Sequence, residues 1–248
     1  MKKLDGKIAI VTGASKGIGA AIAQHFAAEG AAVVVNYASS KEAADRVVEE
    51  ITNAGGKAIA IQADVSKKAD VEQLFAKTQQ TFGKLDILVN NAAIYQYQPL
   101  EEITEQHFYE HFNLNVLGLL FATQQAVKHF GKEGGNIVNI SSIASTATPA
   151  NLSVYNGTKA AVDAITKSIA KELGSRNIRV NAINPGMVET EGLQAIGAIG
   201  GDFQKQIEAQ TPLGRIGQPQ DIALAAAFFA SSDSAWITGE TLIISGGL

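Results

Sequence analysis

The sequence has no cysteine, so neither a disulfide framework nor a thiolate metal site is open to it. No uninterrupted apolar run reaches membrane-spanning length, and the one in the opening MKKLDGKIAIVTG is too short for a signal-peptide core. A basic excess is missing as well. Twenty Lys and Arg stand against 24 Asp and Glu, a net charge of −4, with both signs interspersed, which argues against a nucleic-acid partner. Repeats, low-complexity stretches and linkers are also lacking. What remains is 248 residues, 46% of them hydrophobic, enough for one sizeable core. The expectation is a single cytoplasmic domain over residues 1–248 with no membrane partner.

Short apolar runs alternate with stretches of helical period. Strands are expected at 7–12, 31–37, 57–62, 86–90, 136–141, 178–184 and 241–245, and helices at 17–29, 41–54, 67–82, 104–130, 153–174 and 219–230. The strand runs are nearly continuous rather than alternating, as in parallel strands covered on both faces. Strict alternation of the two element types predicts an α/β fold with a doubly wound parallel sheet of seven strands. Residues 186–215 break the pattern: they are Gly-rich and longer than an ordinary connection, and are expected to form a substrate-binding lid that moves at Gly197, Gly200 and Gly201.

Between the first strand and first helix lies TGASKGIG. Its missing side chains suit a diphosphate approaching a helix N-terminus, where free N–H groups and the dipole attract anions. The spacing of Gly13, Gly17 and Gly19 is G-x-x-x-G-x-G rather than the usual G-x-G-x-x-G, and a turn of this kind can also serve close packing alone. The second strand ends in Asn36, Tyr37, Ala38, Ser39 and Ser40, with no acid before Glu42 to bind a ribose 2′-hydroxyl. With Lys16 in the glycine loop, a 2′-phosphate meets a cation and hydroxyls, so NADP(H) is expected over NAD(H).

Tyr155 and Lys159 stand four apart near the start of a helix and so share a face. A phenol titrates near 10, and a neighbouring ammonium favours its phenolate. Ser141 and Ser142 follow the fifth strand at the edge where ligands bind in open α/β sheets. His107 and His111 are also four apart, but no third ligand accompanies them, so no metal is assigned. Glu101, Glu102 and Glu105 suit a helix N-terminus capped by Thr104 rather than paired catalytic carboxylates. Tyr95 and Tyr97 either line a substrate pocket or cover the core.

Taken together, Thr12-Gly13-x-x-x-Gly17-x-Gly19, Asp64–Val65, Asn-Asn-Ala-Ala at 90–93, Asn115 in NLNVLG, Ser142, Tyr155-x-x-x-Lys159 and NPGMVET at 184–190 resemble the short-chain dehydrogenase/reductases over the full chain. The resemblance implies a Rossmann-like sheet of order 3-2-1-4-5-6-7. It implies that Tyr155 is the general acid and base, that Ser142 holds the substrate oxygen, and that Lys159 binds the nicotinamide ribose and depresses the Tyr155 pKa. Asn115 would hold a water leading from Lys159 to solvent. Gly13, Ser15, Lys16, Gly17, Ile18 and Gly19 would cradle the cofactor, with Asn36, Tyr37, Ala38 and Ser39 at its adenosine ribose. Asp64 and Val65 would meet the adenine, Asn91 and Ala92 would lie along the cofactor, and Pro185, Gly186, Val188 and Thr190 would border the nicotinamide. Ala93 departs from the family's usual Gly, which would cost about 1 kcal/mol if that backbone had positive φ.

The resemblance further implies a homotetramer built through 104–130, 153–174 and the last strand with QPQDIALAAAFFAS. Both 3-oxoacyl-acyl-carrier-protein reductases and bacterial glucose dehydrogenases are similar in pattern. An acidic carrier protein would need a basic docking surface; the segment KHFGKEGGN offers Lys128 and Lys132 but also Glu133, so a carrier-protein partner stays open and unsupported. The few polar residues of 186–215 favour an apolar carbonyl or alcohol of small-molecule size. A cofactor-binding regulator without turnover is the competing class.

Overall fold

The computed structural model describes residues 2–195 and 197–248. The apolar runs become strands because both of their faces are covered. In β1 (Ile8–Val11) Ala9 and Val11 enter one core cluster and Ile10 the other; in β2 (Ala32–Tyr37) Val33 and Val35 join the first and Val34 the second. That two-sided burial is what a parallel sheet with crossover helices requires.

The remaining strands are β3 (Lys57–Gln62), β4 (Ile87–Asn90), β5 (Gly135–Ile140), β6 (Ile178–Pro185) and β7 (Thr241–Ile244). All pair in parallel in the order β3-β2-β1-β4-β5-β6-β7, as expected. On one face α1 (Gly17–Ala28), α2 (Lys41–Asn53) and α10 (Pro219–Ala230) bury Ile22, Phe26, Val47, Ile222 and Phe229. On the other, α3 (Lys68–Phe82), α5 (Leu119–His129) and α7 (Ser153–Leu173) bury Leu74, Phe75, Ala122, Ala126 and Ala170. No described helix is long and apolar enough to cross a membrane.

Two expectations are refined. The helical stretch 104–130 is not one regular helix: α4 (Glu105–Phe112), capped by the Thr104 hydroxyl on the His107 N–H at 3.1 Å, passes through a π-helical segment, Asn113–Gly118, into α5. Gly118 lets this segment press on the chain after β3, since a Cβ there would lie 3.0 Å from the Val65 carbonyl oxygen. The segment 186–215 is also not bare loop, for it contains α8 (Glu191–Ala195) and α9 (Asp202–Gln210). Its far end is pinned by Arg215, whose guanidinium donates to both oxygens of Asp221 at 2.7 and 3.0 Å.

Candidate active site

The chain leaves β1 toward β2 on one side and returns to β4 on the other, so the loops after these two strands diverge and open a crevice. The resulting cleft has a volume of about 1380 Å³ and is lined by every residue assigned above to the cofactor, from Gly13 to Thr190.

At one end the glycine loop and the loop after β4 are knitted together. The Thr12 hydroxyl accepts from the Asn91 and Ala92 N–H groups at 2.9 and 3.0 Å, and the Asn91 amide donates to the Thr12 and Gly13 carbonyls at 2.9 and 3.0 Å. This closeness explains two glycines. Gly13 has φ +60° and a Cβ there would stand 2.9 Å from the Ala92 Cα, while a Cβ at Gly19 would collide with the Asn91 amide. At the start of α1, Lys16 contributes no side-chain cap and the first turn holds no acid, which leaves the free N–H groups of the helix facing the cleft. A cradle that a side chain would fill and an uncapped helix N-terminus together fit the diphosphate of a dinucleotide. Ala93 is not among the described residues with positive φ, so its replacement of Gly carries no backbone strain.

Two of these lining residues also hold the chain around them. Asn36 is buried and its amide is fully engaged: Oδ1 accepts from the Gly13 N–H at 3.2 Å and Nδ2 donates to the Ile61 and Ala63 carbonyls at 3.3 and 3.0 Å. It therefore holds the glycine loop against β2 and β3 while lining the cleft together with Tyr37, Ala38, Ser39 and Lys16. The Asp64 carboxylate is likewise engaged by its neighbours, Ser66 and Lys67. Burial alone would raise its pKa, but the Ser66 hydroxyl and N–H and the Lys67 ammonium hold it below the usual value.

At the other end stand Ser142, just beyond β5, and Tyr155 and Lys159 on α7. Lys159 is buried, with Nζ donating to the Ile140 carbonyl at 2.9 Å and lying 5.6 Å from the centre of the Tyr155 ring. In the protein by itself the expected lowering of the Tyr155 pKa by Lys159 is not found. Burial pushes the phenol up to about 12 against an opposing hydrogen bond with Ser142. Burial also brings Lys159 down to about 8, opposed by the Asp163 charge. Desolvation penalises both charged forms and is the largest cause of each shift.

Asn115, in the π-helical segment, does not line the cleft. Its Oδ1 accepts from the Ile94 N–H at 2.9 Å, and its Nδ2 donates to the Ile94 carbonyl at 2.9 Å and the Thr158 hydroxyl at 3.1 Å. It faces a separate cavity of about 10 Å³ that Thr12, Asn90 and Lys159 share. Tyr95 and Tyr97 line the cleft rather than cover the core, Tyr95 lying edge-on to Tyr155 with ring centres 5.9 Å apart. His107 and His111 lie in the interior with ring centres 4.3 Å apart and planes tilted by 40°, and no group of three metal-ligating side chains occurs among the described residues. Sequence reasoning missed Asn184 and Asp163, which bond to each other at 2.8 Å behind Ser142; an acid four residues after Lys159 is the one signal that pointed there.

Residues 13–248 match the family described as enoyl-(acyl carrier protein) reductase, and a short-chain dehydrogenase of Burkholderia cenocepacia solved with NADP superposes with a TM-score of 0.93 at 37% identity, covering 99% of this chain and 98% of that one. The chain belongs to the short-chain dehydrogenase/reductase family. This short-chain dehydrogenase/reductase is also 55% identical to an uncharacterized oxidoreductase of Methylorubrum extorquens over the whole of both chains. It superposes at TM-score 0.94 and 38% identity on a 7α-hydroxysteroid dehydrogenase complexed with NADH and 7-oxo glycochenodeoxycholic acid, covering 99% of this chain and 95% of that one. As an oxidoreductase of this family it uses a nicotinamide dinucleotide, NAD(H) or NADP(H).

Proposed function

We propose that this protein is an NADP(H)-dependent carbonyl reductase and secondary-alcohol dehydrogenase acting on apolar substrates. The observation that carries the reading is one cleft with Ser142, Tyr155 and Lys159 at one end and the uncapped start of α1 with Lys16 at the other. The bound cofactor supplies hydride to the carbonyl carbon or accepts it from the alcohol. Ser142 donates a hydrogen bond to the carbonyl oxygen, and the Tyr155 phenol delivers its proton to that oxygen as negative charge develops there. A phenol held well above neutrality keeps its proton until that moment. Lys159 binds the nicotinamide ribose beside Tyr155, and the small cavity it shares with Asn115, of single-water size, gives a proton a way back to the site. Residues 186–215 act as the lid, and Tyr95, Tyr97 and Phe203 give the substrate end an aromatic wall.

The test is oxidation of NADPH and NADH by the purified protein against simple ketones, diketones, an acetoacetyl thioester and sugar lactones. Turnover fastest with NADPH and an apolar ketone supports the reading; tight nucleotide binding with no turnover on any of them transfers it to a regulator. Lys16 is exposed and makes no ion pair with a described residue, leaving its charge available for a 2′-phosphate. Lys16→Ala is expected to weaken NADPH binding by about tenfold and NADH binding by less than about twofold, read by fluorescence titration. Equal weakening of both nucleotides counts against the 2′-phosphate contact.

We also propose a homotetramer. Phe108, Tyr109 and Leu117 are exposed on α4 and the π-helical segment, and Leu224 on α10, Trp236 in the chain between α10 and β7, and Leu242 and Ile243 on the edge strand β7. Two separate apolar faces suit the two kinds of two-fold contact from which a tetramer closes. Sedimentation equilibrium is expected to show four chains, and a stable monomer removes the proposal.

A further inference from the structure

We infer that Asn184 and Asp163 are positioning residues for the reaction, locking the turn that carries Ser142 against the helix that carries Tyr155 and Lys159. The inference rests on the catalytic reading given above and adds to it two residues that touch neither substrate nor cofactor.

Asn184 sits at the carboxyl end of β6 and is 1% exposed. Its side-chain nitrogen lies among three acceptors: an Asp163 carboxylate oxygen at 2.8 Å, the Ser145 hydroxyl at 3.1 Å and the Ser142 carbonyl at 3.2 Å. One amide thus gathers a side chain of α7 and both ends of the short turn 142–145. That turn leads into α6 (Ala144–Ala147) and is further held by the Ile143 N–H on the Pro185 carbonyl at 2.9 Å. Because the Ser142 carbonyl is fixed, its side chain departs from a fixed backbone, and the Ala144 N–H donates to its Oγ at 3.1 Å. Hydroxyl and phenol are then presented to one point from two elements joined behind them by Asn184.

Asp163 completes a stripe along α7. Tyr155, Lys159 and Asp163 follow at intervals of four and so share a face of the helix. Nothing in the proton-transfer scheme uses this carboxylate, yet its Oδ1 is sealed from solvent without a hydrogen-bond partner, as is the Asn184 Oδ1. Burying such acceptors unpaired is unfavourable, and a site retains them where the geometry serves something else. Two consequences follow from the placement. The charge gives Asn184 a strong acceptor that orients the amide toward the serine turn. It also acts on Lys159 one turn away, opposing the desolvation that drives that ammonium to lose its proton. The other titratable neighbour of Lys159 is Tyr155; the end of β5 and the π-helical segment face it with the neutral Ile140, Ser141 and Asn115.

The experiment compares Asn184→Ala, Asn184→Ser and Asp163→Asn with the native protein and with Tyr155→Phe in one carbonyl-reduction assay. Asn184→Ala is expected to lower kcat by about ten- to a hundredfold, as misplacement of an orienting group does, with the NADPH Kd within about twofold of native. Asn184→Ser, which keeps a donor, recovers part of the loss. Asp163→Asn keeps the hydrogen bond but not the charge, so it retains most of kcat at the optimum while the alkaline limb of its pH profile moves to lower pH. Should Asn184→Ala fail to fold, the other two variants carry the comparison. Native kcat and an unmoved pH profile in all folded variants overturn the inference; if Tyr155→Phe has lost turnover in that same assay, the catalytic reading survives the result. A readout free of turnover is the crystal structure of Asn184→Ala or Asn184→Ser, in which the 142–145 turn is expected to draw away from α7. An unmoved turn overturns the inference as well.

Discussion

Tyr155→Phe is expected to lower kcat for carbonyl reduction by about 10²- to 10⁴-fold while NADPH still binds with near-native affinity. The substitution removes one oxygen and leaves the ring, so the edge-on contact with Tyr95 and the packing beneath Lys159 persist. What disappears is the hydroxyl that we propose transfers a proton to the substrate oxygen. Ser142 remains as a hydrogen-bond donor, which stabilises developing charge without neutralising it, and some residual rate over the uncatalysed reaction is therefore expected. Steady-state kinetics with nucleotide titration in parallel separate the two effects. A variant that retained most of its kcat would remove Tyr155 from the proton-transfer step.

Lys159→Met is expected to abolish useful turnover and at the same time to stabilise the nucleotide-free protein at pH 7 by about 1 to 3 kcal/mol. The ammonium is buried, and its pKa falls from 10.5 in the unfolded chain to about 8 in the folded one. Between these values the unfolded state binds more protons, so the stability of the native protein rises with pH from about 8 to about 10.5. Below pH 8 the full penalty is present, about 3 kcal/mol for a shift of this size, and loss of the hydrogen bond to Ile140 offsets part of what methionine restores. Tyr155 acts in the opposite sense at higher pH. Its pKa rises from 10.0 to about 12, so the folded state holds the extra proton there and stability declines across that range. Denaturant unfolding at pH 7 and pH 9 checks the prediction: the native protein gains stability between the two and Lys159→Met does not. Equal slopes for the two proteins would show that Lys159 is charged in a well-solvated position. The arrangement is intelligible as function placed above stability, since a cation brought close to a phenol at the end of the cleft has to leave water to get there.

The amino-acid sequence by itself determined the sheet and most of the cleft. Two-sided apolar runs such as AAVVVNY have only one stable environment, the middle of a parallel sheet between helices, and their alternation with amphipathic stretches leaves few topologies. The glycine loop and the Tyr155–Lys159 pair were legible because each depends on short-range geometry: a turn of a helix, or a backbone conformation that side chains exclude. Tertiary structure decided the rest. Asn36 lines the cleft and also braces the glycine loop, because whether an amide meets three backbone groups depends on strands that come together only after folding. The π-helical segment at Asn113–Gly118 has no periodic signature of its own, and 186–215 folds into α8 and α9 with Arg215 pinning its far end to Asp221. In the nucleotide-free protein the Tyr155 pKa moves up rather than down, because desolvation is a property of everything packed around a charge and is not readable from the spacing to Lys159. Asn184 and Asp163, 21 residues apart, became a pair for the same reason. Local conformation follows from local sequence, whereas burial and long-range hydrogen bonding are settled only by what the whole chain places next to each group.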